Sequence, residues 1–324
     1  MTPEDVENTA VELRDAVLRL RAELGRVIVG QRETIDGVIF ALLANGHVLL
    51  EGVPGLGKTL LVKALAQSLA LEVSRIQFTP DLMPADIIGT QTLHETKDGP
   101  TITFEPGPIF RQLVLADEIN RANPRTQAAL LEAMAERQVT VDGRSRPLGP
   151  PFFVMATENP IDMEGTYPLP EAQADRFLIK LVVPQPDRDT LLGILDVEPG
   201  DRLARVNVVL DREALLRFQA HVASLPAADH VRGRIVDLTL RSRPENLPPR
   251  HAGHVALGMS PRGAQALLAT ARARAACAGR LQVALEDVDA VCTPVMRHRL
   301  LLTFAARASG VSAEHVIDTL LTGR

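Results

Sequence analysis

The sequence predicts an α/β domain built on a parallel sheet, followed by a small all-α lid. Three observations carry this. Short apolar runs at His47–Leu50, Val73–Phe78, Leu113–Ala116, Phe152–Ala156 and Leu178–Val183 alternate with helical or loop sequence, as buried parallel strands do. The first run leads into a glycine-rich loop and then a helix, the unit that phosphate-binding α/β folds require. After Pro184-Gln185-Pro186-Asp187, which reads as a linker, the strand-like runs stop and the sequence turns helical. The chain has 324 residues, enough for two domains at about 150 residues each.

The elements follow in order. Residues 3–25 read as an amphipathic helix, with Val6, Ala10, Leu13, Val17, Leu20 and Leu24 at helical spacing and Gly25 closing the stretch. A second helix, 31–44, ends at Asn45-Gly46, and a third is expected from Lys58 to Leu69. Two hairpins interrupt the α/β pattern. In the first, Thr90–Thr92 and Thr101–Phe104 flank Lys97-Asp98-Gly99; in the second, Gln138–Val141 and Ser145–Leu148 flank Asp142-Gly143. Lid helices are expected at 211–224, 230–241, 260–278, 286–300 and 312–321, the third opened by a Ser260 cap with Pro261 at the first helical position. The Pro-rich stretch 244–249 reads as a loop. The division is an N-terminal helix (1–25), an α/β core (26–186) and the lid (187–324).

Composition narrows the class. Hydrophobic residues make up 46% and charged residues 23%, the profile of a soluble globular protein. Aromatics are 3%, with no Trp and one Tyr, so the core must be built from Leu, Val, Ile and Ala. The net charge of −5 and the dispersed arginines weigh against nucleic acid as a partner. Beyond Asp189 there is no Lys and much Arg, which reads as a solvated helical surface. Cys277 and Cys292 lack metal-ligand spacing and read as core residues of a reduced, cytoplasmic protein. The N-terminus lacks the basic region of a signal peptide. No apolar run approaches the roughly 20 residues that span a bilayer.

The chemistry concentrates in a few stretches. Gly52-Val53-Pro54-Gly55-Leu56-Gly57-Lys58-Thr59, with Leu60 following, fits G-x-x-x-x-G-K-[ST] in full. Its glycines let backbone N–H groups face phosphate oxygens, and the helix N-terminus behind them adds a positive dipole end. Lys58 is placed to reach the β- and γ-phosphates, and the Thr59 hydroxyl to ligate Mg²⁺. Leu113–Ala116 ends in Asp117 and Glu118 at the sheet's carboxyl edge, where ligands bind in open α/β sheets. Asp117 is suited to hold Mg²⁺ through water and Glu118 to activate the attacking water, which implies hydrolysis rather than transfer. Phe152–Ala156 runs into Thr157-Glu158-Asn159-Pro160, where Asn159 can touch both γ-phosphate and water; a turn-forming Asn before Pro is the plainer alternative. Arg176, in Glu171–Phe177, and Arg262, in Gly258–Arg262, read in isolation as surface or salt-bridging residues.

The order of these blocks resembles the AAA+ ATPases, and within them the MoxR family. The resemblance rests on Val29-Gly30-Gln31, the P-loop, Gln77–Gly89, Gly107–Gly143 and Ala156–Phe177 with its GTYPLPEAQADRF string, and more loosely on MSPRG and MRHRL in the lid. It implies a P-loop NTPase parallel-sheet core with Walker A and B motifs, a helix-2 insert and a pre-sensor-1 hairpin that face a central pore or a partner, and an all-α lid. It implies Asn159 as sensor 1, Arg176 as an arginine finger acting on a neighbouring subunit's nucleotide, Arg262 as sensor 2, and Val29-Gly30 near the adenine. ATP and Mg²⁺ are the implied cofactors. A homo-oligomeric ring, usually a hexamer, would remodel protein clients in maturation or metal insertion beside a von Willebrand factor A-domain protein. Two departures stand out: Ala174 where the family string has Leu, and the long segment Arg243–Leu257 before the sensor-2 block. A metal-chelatase ATPase subunit, a DNA-acting motor and a non-hydrolysing nucleotide switch remain as alternatives; intact Glu118 argues against the last.

Overall fold

The computed structural model describes residues 2–96, 99–160, 165–196, 203 and 205–322. The chain opens with α1 (Pro3–Val27), begun by a reciprocal cap in which Thr2 Oγ1 accepts from the Asp5 N–H and the Asp5 carboxylate accepts from the Thr2 N–H. Then come α2 (Arg32–Leu43), β1 (Val48–Glu51), α3 (Lys58–Ser68), β2 (Val73–Gln77) and the short α4 (Pro84–Ile88). The first hairpin is β3 (Gly89–Thr96) with β4 (Gly99–Pro106), longer than the sequence suggests; its expected turn residues Lys97 and Asp98 lie outside the described residues. Next are β5 (Leu113–Asp117), α5 (Pro124–Glu136), the second hairpin β6 (Gln138–Val141) and β7 (Arg144–Pro147), β8 (Phe153–Glu158), the single turn α6 (Glu171–Ala174) and β9 (Ile179–Val182).

Beyond β9 lie α7 (Arg188–Leu195), α8 (Arg212–Ser224), α9 (Asp229–Arg241), β10 (Val255–Leu257), α10 (Pro261–Cys277), α11 (Leu285–Met296), β11 (Leu301–Leu302), α12 (Phe304–Ala308) and α13 (Ala313–Thr322). The five helices expected in the lid all form. A short ladder, β10 with β11, sits among them, and α11 stops four residues before the expected end. The long segment before α10 holds two 3₁₀ turns, Pro244–Asn246 and Pro249–His251. It is anchored by buried His251, whose Nε2 lies 2.8 Å from Thr319 Oγ1 on α13.

The five expected strands form one parallel sheet, in the order β2-β5-β8-β1-β9. β5 is buried along its whole length, which is why it reads as an unbroken apolar run. One apolar core joins one face of the sheet to α1, α2, α3 and the helices beyond residue 210. A second core covers the other face with α5 and the bases of both hairpins. The α1 helix, rather than projecting, packs against α2, α3, α8 and α10 through Leu13, Val17, Leu20 and Leu24. Because all strands run parallel, each sheet edge collects one kind of strand end, and this places the site.

Candidate functional site

At the carboxyl edge, β1 passes into the loop Gly52–Gly57 and then α3. Gly57 caps α3 with φ +77°, and Gly55 has φ +86°, a left-handed backbone that glycine adopts without strain. Val53, Pro54, Gly55 and Leu56 form the outer rim of the loop, and Thr59 and Leu60 lie in the first turn of α3. The Lys58 ammonium folds back and donates to Gly52 O. Burial pulls its pKa down, while the negative charges of Asp117, Glu118 and Glu51 partly offset this. Gln31 Nε2 donates to Leu56 O at 2.8 Å and ties the loop to Val29-Gly30. Gly30, at φ +74°, packs so closely on α7 that a Cβ there would lie 2.4 Å from Thr190 Oγ1.

The two acids close β5. Asp117 Oδ1 accepts from Thr157 Oγ1 at 2.7 Å, and Oδ2 accepts from Arg75 Nε and Nη2 at 3.1 and 2.8 Å. Glu118 leaves the strand at φ 57°, and its N–H donates to Thr157 Oγ1 at 2.8 Å. Its carboxylate accepts from Gln77 Nε2 at 3.0 Å and Arg121 Nη1 at 3.3 Å. Thr157, fully buried, thus uses its one hydroxyl both as donor to Asp117 and as acceptor from Glu118. Asn159 follows β8, is buried, and accepts on its backbone oxygen from Asn120 Nδ2 at 3.4 Å. Beside the loop, Lys180 Nζ bridges Glu51 Oε2 at 2.6 Å and Glu158 Oε2 at 3.3 Å. Burial raises the Glu158 pKa and Lys180 only partly offsets it; for Lys180 burial acts downward but is outweighed by Glu158 and Glu51.

Arg75, Gln77, Thr157 and the Glu51–Lys180–Glu158 group were not singled out from the sequence. The available signal was period two: Arg75 and Gln77 alternate with Ile76 on β2, next to β5, and Gln77 pairs in register with Asp117.

Arg176 and Arg262 are not at this edge. Leu178 N–H donates to His47 O at 2.8 Å, just before β1 and β9 begin, so the preceding Asp175-Arg176-Phe177 lies at the amino edge. β1 is four residues long, so at about 3.3 Å per residue the two edges are separated by roughly 13 Å. Arg176 donates through Nη1 to Leu131 O at 2.5 Å. Together with Arg137 and Arg262 it lines a cleft of about 300 Å³. Arg262 is held there because Ser260 Oγ, the cap of α10, donates to Asp175 Oδ2 at 3.0 Å, while Arg299 Nε donates to Asp175 Oδ1 at 2.7 Å. The start of α10, and Arg262 with it, is thus docked at the far end of the sheet from Lys58.

Known proteins are similar to this chain in sequence and fold. The profile of the ATPase family associated with various cellular activities (AAA) matches residues 47–179, and that of the AAA lid domain matches residues 249–320. The chain is 42% identical to "Chaperone MoxR1" of Mycobacterium tuberculosis, over 98% of this chain and 84% of that protein. It is 36% identical to "Protein MoxR" of Paracoccus denitrificans, over 92% and 91% respectively. The chain belongs to the MoxR family of AAA+ ATPases. It is also 43% identical to "Uncharacterized protein YeaC" of Bacillus subtilis, over 92% of this chain and 91% of that one. A crystal structure from Cytophaga hutchinsonii superposes with a TM-score of 0.89 at 34% identity, covering 98% of this chain and 97% of the other. Among the described residues, no helix is long and apolar enough to cross a membrane.

Proposed function

We propose that this MoxR-family chain hydrolyses ATP at the carboxyl edge of its sheet and does so as a ring that remodels protein clients. The observation that carries the reading is that the Gly52–Thr59 loop after β1 and the acids Asp117 and Glu118 after β5 lie at the same edge of one parallel sheet, with Thr157 bonded to both acids. Lys58 exchanges Gly52 O for phosphate oxygens, and the N–H groups of Gly55–Thr59 cradle them. The Thr59 hydroxyl and the Asp117 carboxylate are hard oxygen donors of the kind Mg²⁺ takes alongside phosphates. Bound there, Mg²⁺ would neutralise charge on the β- and γ-phosphates. Glu118, steadied by Gln77 and Arg121, takes the proton of the attacking water, and Asn159 orients it from the neighbouring strand. Val29-Gly30, between the P-loop and α7, forms the wall for the base.

Support for a ring comes from the two edges. Arg176 and Arg262 are too far from their own P-loop to touch its phosphates, so they serve a neighbour's. The hairpins suit client contact: Leu93 and Ile102 pair in register and are 64% and 63% exposed. Arg146 of the second hairpin sits 3.7 Å from the Phe104 ring centroid of the first, so the two move together. We read the ring as a hexamer in the cytoplasm, acting in maturation or metal insertion beside a von Willebrand factor A-domain protein. Mixing tests the reading. Glu118→Gln subunits have a good finger and a dead site; Arg176→Ala subunits have a good site and no finger. Each is expected to be inactive alone, and the mixture to regain turnover. No recovery despite confirmed subunit exchange overturns the trans assignment. Turnover stimulated by DNA, not by protein, would replace the remodelling role with a DNA motor.

A further inference from the structure

The helix α5 starts directly behind the Glu118 turn, capped by Asn123 Oδ1, which accepts from the N–H groups of Arg125 and Thr126 at 3.1 Å. The first turn of α5 sends Thr126 and Gln127 into the protein, both 0% exposed. The Gln127 amide nitrogen lies 3.1 Å from Ile119 O, 3.1 Å from Ala122 O and 2.9 Å from Tyr167 O. The first two carbonyls belong to the turn that follows Glu118. The third belongs to the segment that leads to Arg176. Tyr167 is gripped from its other side as well, because its N–H donates to Asn120 O at 2.7 Å in that same turn. One residue of the Arg176-bearing segment is thus bonded through both its N–H and its C=O to the turn carrying Glu118.

The amide has two hydrogens to share among these three carbonyls, and the shortest contact, to Tyr167 O, is the one that joins the two functional segments. Little slack follows it. Pro168 and Pro170 fix the backbone φ on either side of Leu169, which packs into the core, and α6 then delivers Arg176. Arg176 itself donates to Leu131 O, one turn along α5 from Gln127. Both ends of the connection therefore rest on the same helix.

We propose that Gln127 is a positioning residue that couples the chain's own catalytic turn to the segment presenting Arg176, so that nucleotide in one site sets the finger offered to the next subunit. The inference rests on the functional reading above, and its test separates the two. Tyr167 is the sole tyrosine and there is no tryptophan, so intrinsic emission reports this segment alone. In a Glu118→Gln background, adding ATP and Mg²⁺ is expected to change Tyr167 emission and the exchange rate of the Tyr167 amide. Gln127→Met keeps length and removes the hydrogen bonds. It should bind ATP within about two-fold of its parent, lose both responses, and exchange the Tyr167 amide faster while sheet amides stay protected. In an otherwise native chain it should lower kcat by about 10–10²-fold with KM little changed, the scale of a small misplacement of reacting groups. As a finger donor to Arg176→Ala subunits it should restore under a tenth of what Glu118→Gln subunits restore. A Tyr167 segment that ignores nucleotide in the Glu118→Gln parent overturns the coupling even if Gln127→Met does not fold. A Gln127→Met chain with an intact response overturns it too. Failed Glu118→Gln and Arg176→Ala mixing sinks the trans reading instead, and leaves the Tyr167 result to be judged alone.

Discussion

The carboxyl and amino edges of the sheet both gather charged side chains, yet they engage them differently. At the carboxyl edge, Lys58, Asp117 and Glu118 each have side-chain partners that can be exchanged: a single carbonyl for Lys58, and half-exposed Arg75 and Arg121 for the acids, beside the buried Thr157 that fixes their spacing. At the amino edge, Arg299 is buried and donates to Asp175 Oδ1 and to the carbonyls of Asp175, Phe177, Leu178 and Val295. His47 is equally committed, its Nδ1 accepting from Val154 N–H at 3.1 Å and its Nε2 facing Met134 O at 3.3 Å. The difference teaches how to sort polar residues here. Groups with replaceable partners are available for chemistry, and groups with saturated, buried partners fix where elements dock. Arg176 and Arg262 lie on the boundary, at the saturated edge but facing a cleft.

The largest effect should come from testing that boundary. If Arg176 acts across the ring, Arg176→Ala keeps ATP affinity and loses about 10³–10⁵ in turnover, the scale of a missing arginine finger. If it belongs with Arg299 as a docking residue, turnover survives and the melting temperature drops. Glu118→Gln, at the other edge, should retain ATP binding in calorimetry and lose about 10²–10⁴ in turnover, as removal of a general base does. Lys58→Ala should abolish the calorimetric binding signal itself, and undiminished affinity would remove the P-loop from the comparison. Arg299→Met should leave nucleotide affinity unchanged but lower stability in denaturant unfolding by up to about 3 kcal/mol, because the half-buried Asp175 keeps only Ser260 as a partner and four carbonyls lose their donor.

The smallest effect is a pH dependence of stability. Burial, with Arg137 nearby, lowers the His47 pKa to about 3, and burial beside Arg299 depresses His298 well below its usual value. Unfolded, both take up a proton near pH 6.5, while folded they do not. The unfolded state then binds more protons below that pH, so stability is level above it and falls as pH drops from 6.5 toward 3. Each such histidine contributes up to about 1.4 kcal/mol per pH unit. Urea midpoints should therefore hold between pH 7 and 8 and decline from 6.5 to 5. His47→Gln should be less stable at pH 7 but flatter in that window; an unchanged slope would remove His47 from the saturated set.

The carboxyl-edge site was the most legible part of the chain. Its P-loop is contiguous, and Asp117 and Glu118 end an apolar strand, so each half of the site was readable from local spacing, although the sheet order brings the halves together. The acids' partners were harder to see. Arg75 and Gln77 lay inside what reads as a buried apolar run, and only the adjacency of β2 to β5 brings them to the acids. The helix α7 went unnoticed because it is only eight residues long and follows the Pro-rich linker directly, although Leu191, Leu192, Ile194 and Leu195 give it apolar residues. The hairpin strands and lid helices were found to within a few residues, since period and turn chemistry are local properties.

Local order along the chain determined the strands, the P-loop, the paired acids and most helix starts, because each depends on residues within a turn or two of one another. The strand order, the common core of α1 with the lid, and the removal of Arg262 to the opposite edge were decided only by tertiary structure. They rest on contacts such as Asp175 with Ser260 and Arg299, separated by 85 and 124 residues. Whether such groups meet depends on which buried faces pack together, and periodicity shows that a face exists without showing what covers it.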